Sequence, residues 1–138
     1  MATTVGNNVC PFCTIDTALN KIVYKTTSWN VWENPYPYSR HTNHIVIALK
    51  AHVTDVSELL PEAFAELGEI LRWAIAEFHL PGGALVMRFG EVSHNAGTLR
   101  HLHAHIQVPD GTGPAFAVFH TMTEDGQQDE LQVAFKTR

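Results

Sequence analysis

Three histidines alternate with apolar residues in the second half of the chain. His101, His103 and His105 stand at every second position, with Leu102 and Ala104 between them. Because successive side chains of a β-strand point to opposite faces, this spacing predicts a strand with three imidazoles on one face. An imidazole can donate or accept a hydrogen bond, ligate a metal ion or act as a nucleophile. This stretch is therefore the first candidate for a functional site.

The spacing alone leaves three interpretations of the row open. The histidines are ordinary strand residues, ligands of an open metal site, or catalytic groups. A metal site in the row predicts that His103→Ala loses metal, whereas a nucleophile predicts that it loses turnover.

The only two cysteines of the chain form a Cys-x-x-Cys pair, Cys10 and Cys13. Such a pair is typical of a zinc site, a redox site or a pair of plain structural thiols. A redox site requires a strand before the pair and a helix after it, and no strand is predicted upstream. A zinc site requires two further ligands, which the nine histidines of the chain make available.

Composition predicts one globular domain spanning residues 1–138. Hydrophobic residues make up 45% of the chain and charged residues 17%, which is the balance of a folded, soluble protein. The formal net charge is −5 and the basic residues are scattered singly. This pattern argues against a nucleic-acid polymer or an anionic membrane as partner. The first eight residues carry no secretory signal and no segment is long enough to span a bilayer, so we expect a cytoplasmic protein.

Hydrophobic periodicity predicts the elements that must position these side chains. Strands are expected at Lys21–Tyr24 and Trp29–Trp32 as a hairpin, at His44–Leu49, at Ala84–Phe89 and at Arg100–Pro109. One long helix is expected from Pro61 to Leu80, with an apolar stripe of Phe64, Leu67, Leu71, Ala74, Ile75 and Phe78. Ile70 and Trp73 lie outside this stripe, so we expect them to form either a subunit contact or an additional part of the core.

Two segments beside the last strand complete the prediction. The Gly-containing loop between Gly90 and Thr98 precedes the histidines, so its backbone N–H groups and the Thr98 hydroxyl are candidates for holding phosphate oxygens. After Pro109, residues 115–122 and 131–135 alternate like the two strands of a C-terminal hairpin.

From Cys10 to Pro109, the order of these features resembles the histidine triad (HIT) superfamily. The motif of that family alternates three histidines with apolar residues and ends in two apolar residues; here it reads His101-Leu102-His103-Ala104-His105-Ile106-Gln107. The resemblance implies an α+β, HIT-like fold with an antiparallel sheet of about five strands packed on one long helix. It also implies a homodimer.

The resemblance further implies a chemical role for several residues. His103 would be the nucleophile that attacks phosphorus, and His105 and His44 would contact the phosphate and the leaving group, one of them supplying a proton. Thr98 would hold phosphate oxygens and Asn34 would lie near the ribose. Several branches of the family carry a structural zinc ion, for which the matching ligands here are Cys10, Cys13, His52 and His101.

The expected function is therefore a HIT-type nucleotide hydrolase or nucleotidyl transferase. It would cleave at the α-phosphate of a small nucleotide, a dinucleoside polyphosphate or nucleoside phosphoramidate, through a nucleotidyl-histidine intermediate. The alternative is a nucleotide- or partner-binding module without efficient turnover. Departures from the family pattern around His44 and Gly97 motivate this alternative.

Overall fold

A computed structural model describes residues 10–90, 94 and 101–115 of the chain. Five antiparallel strands form one sheet in the order β1-β2-β3-β5-β4, and a long helix packs on one of its faces. The predicted α+β fold is thereby confirmed. The predicted C-terminal hairpin and most of the Gly90–Thr98 loop, Thr98 included, lie outside the described residues. The elements are β1 (Ile22–Lys25), β2 (Trp29–Glu33), β3 (His41–Leu49), a 3-10 turn (Val56–Glu58), α1 (Pro61–Phe78), β4 (Ala84–Met87) and β5 (His103–Pro109).

The central strands β3 and β5 set the register of the candidate site. Val46 pairs with His105 and His44 pairs with Gln107 in an antiparallel ladder. The strand predicted from His44 begins three residues earlier, at His41, where the ladder is irregular. Its apolar run is buried to Leu49, as expected of a strand with packing on both faces. His44 therefore lies inside the sheet and not at its entrance.

The helix buries a face that only partly coincides with the predicted stripe. Leu67 and Ala74 are buried, and Leu71 and Phe78 pack against the core, as predicted. The buried residues of the helix are Ala63, Leu67, Ile70 and Ala74, which recur at helical spacing. The prediction placed Phe64 and Ile75 on the apolar stripe, but they remain 43% and 46% exposed, whereas the small Ala63, which lay outside the stripe, is buried. Ile70 is fully buried and belongs to the core, so its interpretation as a subunit contact is wrong. Trp73 packs at the margin of the same core and stacks on Tyr24, with ring centroids 4.4 Å apart.

Several element boundaries also differ from those predicted. The helix ends at Phe78 because His79 adopts a left-handed conformation, with φ of 53°, and its N–H bonds the carbonyl of Ile75. Strand β4 ends at Met87 and not at Phe89. Strand β5 begins at His103, so His101 precedes the strand.

The N-terminal segment covers the face of the sheet opposite the helix. Phe12 and Ile15 pack against a second buried cluster that includes Trp32, Val46 and Ala48. This packing brings the Cys-x-x-Cys pair to the beginning of β5. Within the described residues, no helix is long and apolar enough to cross a membrane.

Candidate functional site

His103 is held in one tautomer by the backbone. Its Nδ1–H donates to the carbonyl of His101 over 2.7 Å, and because a carbonyl only accepts, the proton must be on Nδ1. The lone pair of the neutral ring therefore lies on Nε2. Burial lowers the pKa of His103, with a smaller effect from Arg88, and the bond to His101 partly opposes this shift. His103 is half-buried, so it combines a fixed ring with an available nitrogen lone pair.

His44 and His105 form a chain of hydrogen bonds with a defined direction. The backbone N–H of Tyr38 donates to Nδ1 of His44 over 3.3 Å, so Nε2 of the neutral His44 ring carries the proton. This Nε2–H donates to Nδ1 of His105 over 2.9 Å. The remaining nitrogen of His105, Nε2, is consequently an N–H donor. The ring centroid of His105 lies 5.0 Å from that of His103.

Burial keeps the rings of His44 and His105 neutral at physiological pH. The pKa of His44 falls to about 4, chiefly through desolvation and then through the charges of His41 and Arg88. The pKa of His105 falls to about 3, again chiefly through desolvation and then through His103, His44 and Arg88. The site therefore offers a nitrogen lone pair on His103 beside an N–H donor on His105.

Asn34 contacts the hydrogen-bonded pair of His44 and His105 from the loop between β2 and β3. Its side-chain nitrogen lies 3.4 Å from Nδ1 of His44, and its Oδ1 accepts from the backbone N–H of Tyr36 over 2.8 Å. The carboxamide thus supports the local turn as well as touching His44. Tyr38 covers the other side, with its ring centroid 4.3 Å from that of His44.

His41 and Gln107 form a further part of the site that was not predicted from the sequence. Gln107 is buried, and its Nε2–H donates to Nε2 of His41 over 3.2 Å. The His41 ring is fixed by its Nδ1–H, which donates to the carbonyl of Ser39 over 2.9 Å. One signal for Gln107 was present, because it continues the two-residue period of the histidines and is polar where the family motif is apolar. His41 carries no signal, since only the β3–β5 pairing brings it to Gln107.

The structure brings Cys10, Cys13, His52 and His101 together, and within the described part of the chain they are the one candidate metal-binding group. Nδ1 of His101 lies 3.3 Å from Sγ of Cys10, 3.6 Å from Sγ of Cys13 and 3.2 Å from Nδ1 of His52. Sγ of Cys13 lies 3.1 Å from Nδ1 of His52. His103 and His105 are not members of the group, so the interpretation of the histidine row as an open metal site has no support here.

The geometry and chemistry of these four donors fit a tetrahedral zinc ion. Zinc bonds of about 2.0 to 2.3 Å place neighbouring ligand atoms of a tetrahedron about 3.3 to 3.8 Å apart. The separations given above are close to this range, and all the ligand atoms lie within 4.8 Å of one another. Nε2–H of His101 donates to the carbonyl of Leu49, which directs the lone pair on Nδ1 toward the sulfur atoms. Burial and the neighbouring Cys10 raise the pKa of the Cys13 thiol, and a divalent cation favours the thiolate of both cysteines.

Phe12 links the metal-binding group to His103. It lies between the two cysteines in sequence, and its ring meets that of His103 edge-on, with centroids 5.0 Å apart. The same ring contacts His101 and Trp32, with centroids 5.8 Å and 5.2 Å away. Sequence reasoning did not single out Phe12, because only the folded N-terminal segment places it beside β5.

Comparison with known proteins identifies the fold. No protein-family model matches the sequence, and no curated protein matches it. Among solved structures, a histidine triad protein from Clostridium difficile matches with a TM-score of 0.62 and 17% identity, over 81% of this chain and 99% of that one. A zinc-bound histidine triad family protein from Mycobacterium smegmatis matches with a TM-score of 0.61 and 21% identity, over 87% and 88%. A HIT family hydrolase from Clostridium thermocellum matches with a TM-score of 0.59 and 22% identity, over 81% and 100%. The chain therefore has the fold of histidine triad proteins.

Proposed function

We propose that the chain is a histidine triad enzyme that cleaves at the α-phosphate of a small nucleotide, a dinucleoside polyphosphate or nucleoside phosphoramidate. The observation that carries the proposal is the bond from Nδ1–H of His103 to the carbonyl of His101, which leaves the lone pair of the neutral ring on Nε2. The likeness to a HIT family hydrolase supports the same reaction class.

In the first step, Nε2 of His103 attacks the α-phosphorus. A phosphorus–nitrogen bond forms, the bond from phosphorus to the leaving group breaks, and the electron pair stays on the leaving atom. The nucleotide is then held covalently on His103. Burial favours this step because it lowers the pKa of His103 and so keeps the ring unprotonated.

His105 acts on the phosphate as a hydrogen-bond donor. Its Nε2–H is the outward end of the chain that starts at the backbone of Tyr38 and passes through His44. A donor already oriented in this way stabilises developing negative charge without reorganising during the reaction. Asn34 and Thr98 are the further candidates for nucleotide contacts, at the ribose and at the phosphate oxygens.

In the second step, water or another acceptor attacks the nucleotidyl-histidine. A phosphorus–oxygen bond forms, the phosphorus–nitrogen bond breaks, and its electron pair returns to Nε2 of His103. With water as acceptor, its proton passes to solvent and the product is a nucleoside monophosphate. With inorganic phosphate as acceptor, the product is a nucleoside diphosphate.

A structural zinc ion held by Cys10, Cys13, His52 and His101 is part of the proposal. The four protein donors leave no open position on a tetrahedral ion, so its chemistry is to cross-link the N-terminal segment to the start of β5. The zinc-bound histidine triad protein from Mycobacterium smegmatis supports this assignment.

We further propose that the active form is a homodimer. Strand β4 lies at one edge of the sheet among the described strands, and an exposed edge pairs readily with another chain. Leu85 on this strand is 38% exposed, and Phe89 just beyond it is 64% exposed. Leu85→Asp should raise the fraction of monomer in light scattering, whereas Leu19→Asp, at another exposed apolar position, should not.

Turnover of wild type and His103→Ala on a panel of nucleotides tests the proposed reaction. The panel is ADP, adenosine phosphoramidate, diadenosine tri- and tetraphosphate and UDP-glucose, each with and without phosphate. We expect wild type and His79→Asn to turn over at least one substrate and His103→Ala to turn over none. His79 is the matched control because it lies at the end of α1, and asparagine tolerates its left-handed backbone.

Mass spectrometry of acid-free quenched reactions should also find one nucleotidyl group on His103 of wild type. Equal turnover by wild type and His103→Ala would contradict the proposal. Nucleotide affinity without product in any reaction would instead favour the alternative, a binding module.

A further inference from the structure

Arg88 follows β4 at a position that points toward the nucleophile. Met87, the last residue of β4, pairs with Ala104 and packs against the core beneath the sheet. Continuing the ladder by one residue brings Arg88 opposite His103. Because side chains alternate along an extended chain, Arg88 extends to the face opposite Met87, which is the face of the histidines.

Two further observations agree with this position of the guanidinium group. The Nε atom of Arg88 is buried, so the side chain lies against the protein and does not extend into water. Its positive charge also lowers the pKa of both His44 and His105. Arg88 lowers the pKa of His103 as well, so its charge lies within electrostatic range of three rings on the histidine face.

We propose that Arg88 binds the non-bridging oxygens of the phosphate that His103 attacks. This inference rests on the function proposed above and assigns a phosphate-binding role to a residue outside the histidine motif. A guanidinium group presents several N–H donors in a planar fork that matches two phosphate oxygens. Position opposite His103 places this fork beside the attacked phosphorus, where His105 alone would supply one donor.

The electrostatics of the described site also favour an anionic ligand. His44 and His105 are neutral at physiological pH, so they add hydrogen bonds without a formal charge. Arg88 is permanently protonated and is the charged group that acts on both rings. The chain has a formal net charge of −5, so a local cation favours the binding of a negatively charged phosphate at this face.

Binding of AMP and of adenosine to the full-length, zinc-loaded chain tests the inference. The variants are Arg88→Gln, Arg88→Lys and, as a matched control, Arg72→Gln on the exposed side of α1. We expect Arg88→Gln to weaken AMP binding about tenfold to a hundredfold, the effect of losing a charge-assisted hydrogen bond. Adenosine binding should change by less than twofold. Arg88→Lys should recover part of the lost affinity, and Arg72→Gln should match wild type.

The outcomes separate this inference from the proposed reaction. AMP affinity of Arg88→Gln within twofold of wild type would overturn the inference, as would equal losses for AMP and adenosine in a variant with an unchanged melting temperature. If Arg88→Gln loses AMP affinity while wild type turns over no substrate, the phosphate-binding role stands and the proposed catalysis fails. If wild type turns over substrate through His103 and Arg88→Gln does so equally fast, the catalysis stands and Arg88 has no role in it. Failure of wild type to bind AMP at all would contradict the inference, whereas turnover of any substrate of the panel through His103 would still support the proposed catalysis.

Discussion

The carbonyl of His101 accepts the Nδ1–H of His103 over 2.7 Å, while the Nδ1 of His101 faces the two cysteines. The residue proposed to ligate zinc thus fixes the tautomer of the residue proposed to react. An ordered His101 is the condition for an ordered His103, because a ring that loses its carbonyl partner can rotate or change tautomer. The position of the proposed nucleophile therefore depends on the order of the metal-binding group.

Loss of the metal ion should reduce both stability and turnover. Cys10→Ala and His52→Ala each remove one of four ligands, so we expect them to bind less than one zinc ion per chain and to melt at a lower temperature. Turnover should fall about 10- to 100-fold, the range typical of changes behind a functional site. Elemental analysis and calorimetry check the result, with His103→Ala as the control that keeps its zinc. A full complement of zinc in Cys10→Ala would contradict the assignment.

Replacement of Phe12 should reduce turnover without releasing the metal ion. Its ring packs edge-on against His103 and against Trp32, so Phe12→Ala leaves space into which the nucleophile can shift. A small displacement of a reacting group lowers kcat by up to about a hundredfold. Phe12→Leu, which fills most of the volume, should recover much of the loss. Steady-state kinetics with zinc analysis separate this effect from metal loss, and unchanged kcat in Phe12→Ala would argue against a positioning role.

Much of the fold followed from the sequence because it depends on local periodicity. The two-residue period of β5, the apolar run of β3 and the proline at the start of α1 are each readable within one segment. The exact face of α1 was harder, because burial of a small residue such as Ala63 depends on how closely the helix approaches the sheet. Hydrophobicity alone ranks Phe64 and Ile75 above it, although both remain partly exposed.

The sequence predicted the metal-binding group and the histidines of the candidate site. It did not predict the residues around them. His101 departs from the predicted row because its partner strand β3 ends at Leu49, so the ladder has no further residue to hold His101 in the strand. Gln107 and His41 meet across 66 positions of the sequence, and Arg88 comes opposite His103 only when the β4–β5 register is continued past Met87. Contacts of this kind depend on strand pairing, which no single segment encodes.

His105 should remain neutral far below the pKa of an ordinary histidine. Its pKa is about 3 in the folded chain, against 6.5 for an ordinary histidine. The unfolded chain therefore binds a proton that the folded chain does not between these two values, and stability falls as pH decreases through this window. Each such histidine contributes a slope of about 1.4 kcal/mol per pH unit. His105→Asn should consequently show a shallower loss of stability between pH 6.5 and pH 5 than wild type.

Denaturant unfolding at each pH measures the free energy of unfolding of wild type and His105→Asn. The contribution of the metal site to this free energy cancels in the comparison, because both proteins keep the same metal ligands. Nitrogen chemical shifts of the imidazole give an independent reading and should report a neutral His105 at pH 5. Identical slopes for wild type and His105→Asn, or a protonated ring at that pH, would show that His105 titrates normally.

The buried face of α1 predicts opposite results for two isoleucines on the same helix. Ile70 is fully buried beneath the sheet, whereas Ile75 is 46% exposed. Ile70→Ala removes buried methyl and methylene groups and leaves a cavity, so the free energy of unfolding should fall by about 2 to 5 kcal/mol. Ile75→Ala should change it by roughly 0.5 kcal/mol or less, as at other surface positions. Denaturant titrations of the two variants at one protein concentration make the comparison. Equal losses would mean that the helix buries the stripe read from hydrophobicity alone.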